Sequence, residues 1–427
     1  MLNRSQQPLL KDFTTFSLRQ PECRKLPNGV KLYLLDSGDV DVTRVDLVFD
    51  VGKMHQSQLL QALFTNRMLR EGTQRMNRAE IAEKLDFYGA WMEQNVSFCH
   101  SFVTLYSLNK YLPQTLDILA QIVKEPVFDA QALEVVVQNN VQRFLVALAK
   151  TAAQARRAFK KSIYGRHLLG QMADEADYYA VNREALVDYY RRFYHSGNLS
   201  IYLAGHITDE CLQRVEALFG EPFGSQEIIT IHQDLQVPQL PATHQFFEVK
   251  NSVQSSVLIG KSTISMRHPD SMKLRVLLTL FGGYFGSRLM NSVREEKGYT
   301  YGIFSVLNPS PFDNALMILC DCAHEYVNPL LEEVYHQIDL LQQEPVSEEE
   351  LSIVRSCMKG EILRSYESRL SLTDAWILVH TLGLPDTWHH DFWHEIDHTT
   401  PADLLRLAQT YLCKETLTEI VVGQKNS

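Results

Sequence analysis

Residues 59–73 read Leu59-Leu60-Gln61-Ala62-Leu63-Phe64-Thr65-Asn66-Arg67-Met68-Leu69-Arg70-Glu71-Gly72-Thr73. The apolar positions Leu59, Leu60, Leu63, Phe64, Met68 and Leu69 recur near helical spacing, so one face of a helix can enter a core. Strands and further helices are predicted on either side. Upstream, Val30–Asp36 and Val42–Val51 read as strands joined by a Ser37-Gly38-Asp39 turn. Downstream, Asn77 with Glu80 three residues later starts a second helix that runs to Tyr88. Trp91–Phe98 and Ser101–Leu108 form a strand pair, and helices follow at 111–124 and 129–160, the last rich in Ala, Val and Gln.

The pattern then returns. Leu186–Gly205 and Leu404–Gly423 each read as a helix ending in aromatic or Tyr-Leu residues, a short polar turn, and a strand closing on glycine. Each has a helix-start signal, Asn182 with Glu184 in one and Thr400-Pro401 with Asp403 in the other. The two copies stand half a chain apart, which implies a duplicated domain of about 200 residues rather than a solenoid of short repeats. In the second copy Gln245–Val249, Val253–Ile259, Tyr301–Leu307 and Ala315–Cys322 read as strands. Helices are predicted at Ser271–Phe281 and near 326–343, 347–366 and 370–381. Strands and helices segregate in blocks, so the predicted class is α+β: two homologous halves, each an antiparallel sheet with packed helices. The expected division is 1–220, a linker at 221–244 carrying Pro222, Gly224, Pro238 and Pro241, and 245–427.

Composition sets wide bounds. A chain of 427 residues, 45% hydrophobic and 22% charged, has the make-up of a globular protein of two or three domains. Its net charge of −10 argues against a nucleic-acid partner. The start lacks an apolar core for a signal peptide, and no apolar run approaches the roughly 18 residues of a membrane-spanning helix. Seven scattered cysteines do not form a disulfide framework, and Cys320 and Cys322 in an apolar run read as core thiols. A cytoplasmic protein without membrane contact is expected.

The tail Met68–Thr73, taken with the upstream Pro27-Asn28-Gly29-Val30 turn, resembles the first catalytic helix of the insulinase/pitrilysin family of zinc peptidases. Active members carry His-x-x-Glu-His there, two His holding zinc and the Glu activating a water. Registered on Met68–Thr73, the resemblance places those positions on Leu63, Asn66 and Arg67. The family's third ligand, a Glu on a later helix, falls on Asn140, or on Val141 with a one-residue shift. Glu134 is nearby but sits near its helix start, where the helix dipole accounts for a carboxylate. Leu and Arg do not ligate zinc and Asn is no general base, so the helix is kept and the metal site is not.

A second segment resembles the family's C-terminal domain without such losses: Leu280-Phe281-Gly282-Gly283-Tyr284-Phe285-Gly286-Ser287-Arg288-Leu289, continuing through Val293-Arg294-Glu295-Glu296-Lys297-Gly298 to Tyr301. There the resemblance implies that Arg294 and Tyr301 line a substrate chamber. Arg offers a fixed fork of donors for peptide carbonyls or a carboxylate, and Tyr adds a donor with an aromatic face. A turn at Gly298 is expected to aim both at one cavity. The glycines fall within or after a helix, which excludes a phosphate-binding loop. The resemblance runs from about Leu26 to Gly423 and includes Tyr164-Gly165-Arg166 and Phe193-Tyr194.

A rival metal pattern, His394-Glu395-Ile396-Asp397-His398, matches His-Glu-x-x-His, but Thr399-Thr400-Pro401 starts a new helix at once, leaving the motif at a helix end beside an aromatic surface turn. The Arg156-Arg157 and Lys160-Lys161 pairs read as a solvated face. The resemblance therefore implies a subunit without a cofactor of its own, zinc being expected only in a partner. It would dimerise with a zinc-bearing family member, or with itself, and contribute contacts to a peptide substrate. A stand-alone homodimeric peptide-binding or scaffold protein is the alternative.

Overall fold

The computed structural model describes residues 17–37, 40–225 and 235–425. Two residues of the expected Ser37-Gly38-Asp39 turn, and 226–234 of the expected linker, lie outside the described residues. The first half contains strands β1 (Glu22–Lys25), β2 (Lys31–Asp36), β3 (Val42–Phe49), β4 (Trp91–Val96), β5 (Ser101–Leu108) and β6 (Leu199–Gly205). Its helices are α1 (Gln61–Met68), α2 (Arg78–Phe87), α3 (Leu112–Lys124), α4 (Ala130–Leu148), α5 (Thr151–Tyr164), α6 (Glu175–Tyr179), α7 (Arg183–Phe193) and α8 (Asp209–Phe219). The second half contains β7 (His244–Glu248), β8 (Ser255–Thr263), β9 (Thr300–Pro309), β10 (Asn314–Cys322) and β11 (Thr418–Gly423). Its helices are α9 (Ser271–Leu278), α10 (Val327–Gln343), α11 (Glu348–Ser365), α12 (Arg369–Thr381), α13 (Trp388–His398) and α14 (Pro401–Tyr411).

The sheets run β1-β2-β6-β3-β5-β4 and β7-β11-β8-β10-β9, so apart from β1 the two halves share one strand order. They are mixed rather than purely antiparallel, because β2 pairs with β6 and β7 with β11 in parallel. In each half the parallel neighbour of the closing strand lies far from it in sequence, which local alternation cannot reveal. The repeated closing glycine has a steric cause. A Cβ at Gly205 would sit 2.2 Å from the Val42 carbonyl oxygen, and one at Gly423 would sit 2.0 Å from Ser255 Oγ.

Each sheet is covered on both faces. Val45, Leu47 and Phe49 on one face of β3 join the first half's core, and Val257 and Ile259 of β8 join the second's. The opposite faces are covered by a helix from the other half. Ala155, Phe159 and Ile163 of α5 pack on Leu258, Ile420 and Val422 of the second sheet. Reciprocally, Ile377 of α12 packs on Val48 and Tyr202 of the first, where Tyr202 Oη also meets His380 Nδ1 at 2.8 Å. This exchange breaks the single helix expected over 129–160. The chain is extended at Lys150, and the break directs the Ala155/Phe159/Ile163 stripe at the second sheet. It also revises the solvated-face reading of the basic pairs. Arg157 and Lys160 are partly buried, and Arg157 is paired with Asp174 at 2.6 Å.

Arg44 of β3 ties the exchange together. Its guanidinium bonds both oxygens of Asp46, at 2.8 and 2.9 Å, and reaches across to Asp374 at 2.6 Å and the Leu370 carbonyl at 2.9 Å on α12. Asp46 also accepts from Thr104 Oγ1 at 2.7 Å.

Asp46 is 1% exposed and Asp374 is 67% exposed, so the two pairings have different weights. Arg44→Ala leaves Asp46 buried without a counter-charge and is expected to cost about 3–5 kcal/mol in denaturant unfolding. Asp374→Ala removes only a solvent-screened partner and is expected to cost less than about 1 kcal/mol. Equal losses would show that Arg44 matters only as a bridge to α12.

Candidate functional site

The residues at the implied zinc positions are set by α1 and α4. The Gln61 side chain fixes the start of α1, accepting from Ser57 N at 2.8 Å and donating to the Ala185 carbonyl on α7 at 2.8 Å. Ala62, Phe64, Thr65 and Met68 then point into the core. Asn66 does as well. It is fully buried, with Nδ2 donating to Tyr194 Oη at 3.2 Å and to the Phe102 carbonyl at 3.3 Å. Leu63 is partly buried on the same helix. Arg67 turns instead into a cavity of about 200 Å³ that Asn140 also lines. Asn140 Nδ2 folds back on the Val136 carbonyl at 2.6 Å, while Val141 belongs to the core and Glu134 is exposed just past the first turn of α4.

Two of the four positions, Arg67 and Asn140, thus meet in one cavity. Its remaining charges are Arg70, Arg78, Arg143 and Glu71. Glu71 lies 3.2 Å from Arg78, and burial pushes its carboxyl up against the pull of Arg78 and Arg70. Zinc takes imidazole, thiolate or carboxylate ligands. A Leu, a buried Asn, an Arg cation and a second Asn do not fit that ion. Among the described residues no three His, Cys, Asp or Glu side chains gather where they could hold a metal ion.

The second segment has an unusual backbone. Thr279–Gly283 and Met290–Glu296 are wound as π-helix, a form that often marks functional sites. Lys297 N bonds back to the Ser292 carbonyl at 3.2 Å, Gly298 takes φ +67°, and Tyr299 N reaches the Val293 carbonyl at 3.0 Å. Arg288 anchors the segment through a two-pronged bond to Glu350, both arms 2.8 Å. The expected turn at Gly298 is present and leads into edge strand β9.

The expected meeting of Arg294 and Tyr301 in one cavity is not seen. Arg294 lies over the Phe285 ring, 4.5 Å from its centroid, with Nε 3.5 Å from Glu295. Tyr301 is 98% exposed and lines a cavity of about 480 Å³ with Arg156, Ser256, Cys320 and Asp321. Arg294 is not part of that lining. The Gly298 turn forms as expected, but Arg294, inside the π-helical turn, lies back over Phe285 while Tyr301 is carried out onto the edge strand.

The His394–His398 motif sits at the last turn of α13, as expected. Both side chains are exposed, their rings stack at 3.8 Å, and His398 Nδ1 is 2.8 Å from the His394 carbonyl. Glu395 and Asp397 are engaged with Lys273 and Lys359. The neighbouring aromatic residues do not form a surface turn, because Trp388, Phe392 and Trp393 are buried. Cys320 and Cys322 are buried free thiols, pushed up to about 12 and about 11 by burial. Sequence reasoning missed the arginines around Arg67. They come from α1 and its extension, α2 and α4, and only the Arg67/Arg70 spacing hinted at them.

Comparison with known proteins places this geometry. A family profile described as Insulinase (Peptidase family M16) matches residues 34–171, and one described as Peptidase M16 inactive domain matches residues 180–357. The uncharacterized zinc protease YmxG of Bacillus subtilis (strain 168) is 25% identical over 347 residues, 80% of this chain and 83% of its own. The mitochondrial-processing peptidase subunit beta of Bos taurus is 24% identical over 282 residues, 62% of this chain and 55% of that protein. Among solved structures, a peptidase M16 inactive domain from Pseudomonas fluorescens superposes with a TM-score of 0.84 at 21% identity, covering 95% of this chain and 99% of that one. A protease from Helicobacter pylori gives 0.86 at 14% identity, covering 95% and 100%. The first profile spans β3 to α5 and the second runs from α7 to within α11, and the chain belongs to the insulinase (M16) family.

Proposed function

We propose that this M16-family protein is a peptide-binding, non-catalytic subunit of a zinc endopeptidase, the zinc being held by a partner subunit of the same family. The observation that carries the reading is the replacement of the implied zinc positions by Leu63, Asn66, Arg67 and Asn140, in a chain whose Arg294–Tyr301 segment is built in full. Peptide hydrolysis requires about 8–23 kcal/mol of barrier lowering. Neither the buried amide of Asn66 nor the cation of Arg67 generates a nucleophile. What the chain offers is recognition. Edge strand β9 has no strand along its outer edge among the described residues, leaving room for an extended peptide to align, with Tyr301, Phe304 and Val306 exposed along it. Arg294, held over the exposed Phe285, supplies a fork of donors that can swing to peptide carbonyls.

Zinc analysis of the purified chain is expected to find no stoichiometric metal. One tightly held zinc per chain, lost on mutating Asn66 or Arg67, would defeat the reading. Peptide cleavage is expected only when the chain is combined with a family member bearing His-x-x-Glu-His. Binding without any such partner favours a stand-alone peptide-binding homodimer.

In that complex, or in direct peptide binding, Arg294→Ala is expected to weaken the interaction by roughly ten- to a hundredfold through loss of charge-assisted hydrogen bonds. Tyr301→Ala should weaken it while leaving unfolding within about 0.5 kcal/mol of the parent, because the side chain is almost wholly exposed. A Tyr301 variant that unfolds instead would make its role structural.

A further inference from the structure

The cavity beside α1 holds four arginines, Arg67, Arg70, Arg78 and Arg143, against the single carboxylate of Glu71, which is matched by Arg78. In a chain of net charge −10 this is a concentrated reversal of sign. It does not stop at the cavity. Arg67 stands close enough to Arg143, and Lys53 close enough to Arg67, for each to feel the other's charge. Lys160 on α5 stands in the same relation to Lys53. One helical turn back along α5 is Arg156, which lines the larger cavity with Tyr301. The side chains of Arg67, Arg143, Lys53, Lys160 and Arg156 have no carboxylate or hydrogen-bond acceptor among the described residues.

We infer that these five side chains form one cationic track, from the Arg67 cavity to the Tyr301 cavity, that selects peptides rich in Asp and Glu. Extending the peptide-binding reading above, on which it rests, the inference names the chemistry of the peptide. Like charges held together without counter-ions repel, and an acidic ligand relieves that repulsion. Loss of hydration first, and then the neighbouring cation, already lowers the pKa of Arg67, Lys53 and Lys160. The two cavities divide the work. The smaller is ringed by arginine forks and the amides of Gln94, Asn139 and Asn140, which suit a carboxylate. The larger adds the exposed Tyr301 ring and apolar walls for a side chain beside it.

The test uses the full chain and an extended peptide with Glu at alternate positions, its Gln counterpart, and inorganic phosphate as competitor. The Glu peptide is expected to bind about tenfold or more tightly than the Gln peptide, with the difference shrinking as salt is raised. Arg67→Gln, Arg143→Gln and Lys160→Gln together should abolish the difference, and Arg67→Lys alone should keep it. Because these side chains have no acceptor to orphan, the variants should melt no lower than the parent. Should the triple variant unfold, the exposed Arg143→Gln alone is expected to narrow the gap. Equal binding of both peptides, or an undiminished gap in the variants, overturns the track while leaving the peptide-binding reading intact. Failure of either peptide to bind, with Arg294→Ala also silent, removes both. Displacement of the Glu peptide by phosphate at equal concentration also overturns the proposal, leaving a simple anion pocket.

Discussion

The structure depends on an exchange of cover between its halves. A strand buried on both faces needs apolar or paired side chains at every position, and β3 and β8 are such strands, each having its second face roofed by a helix from the other half. The exchange is apolar at Phe159 over Leu258 and Ile420, and ionic at Arg44, where a guanidinium in β3 joins Asp46 on its own strand to Asp374 on α12. Everything near the candidate site inherits this geometry. The break at Lys150 that frees α5 also sets Arg156 beside the second sheet, whereas Arg143 stays on α4 beside the Arg67 cavity.

The two halves carry different chemistry near the candidate site. In the first half the helix that resembles the metal-bearing one is intact as a helix but holds a buried amide at Asn66 and a cation at Arg67. In the second half the glycine-rich segment ends in an edge strand with exposed aromatic side chains. A positive charge remains near the place where the family resemblance puts a metal, but it now belongs to a side chain with a fixed fork of donors and no open coordination position. A guanidinium can donate hydrogen bonds but does not polarise a carbonyl as a Lewis acid would.

Local chemistry was legible in the sequence. The Asn77/Glu80 and Thr400/Asp403 capping boxes form as their spacing predicts, and the glycines closing the two repeats mark equivalent crowded strand ends. The block segregation of strands and helices carried the α+β class and the internal repeat the two halves, and the matching strand orders of the two sheets bear this out. What could not be read was non-local. The parallel pairing of β2 with β6 joins residues near 31 and 200. The split of the expected 129–160 helix answers to a surface on the other half, since the propensity at Ala149 and Lys150 favours continuing. Arg294 and Tyr301 were expected together because the Gly298 turn lies between them; the turn forms, but Arg294 lies over Phe285 while Tyr301 stands exposed on β9. The basic cavity draws on separate elements, so no single window of sequence contains it.

The mutual roofing of the sheets has a consequence for how the protein comes into being. The first sheet is complete when Gly205 has been made, yet the helix that covers its far face begins only at Arg369. Until then Val48 and Tyr202 have on that side only their sheet neighbours Tyr33 and Phe102 to pack against, and Asp46 has Arg44 without the further anchor of α12. α5, made early, must likewise wait for β8 and then β11 before Phe159 and Ile163 find their surface. A ribosome therefore carries an unfinished first half, sticky on one face, through most of the synthesis of the second. Only once α12 and β11 have emerged are both sheets covered, which makes the nascent chain, rather than the finished fold, the form most in need of protection from aggregation.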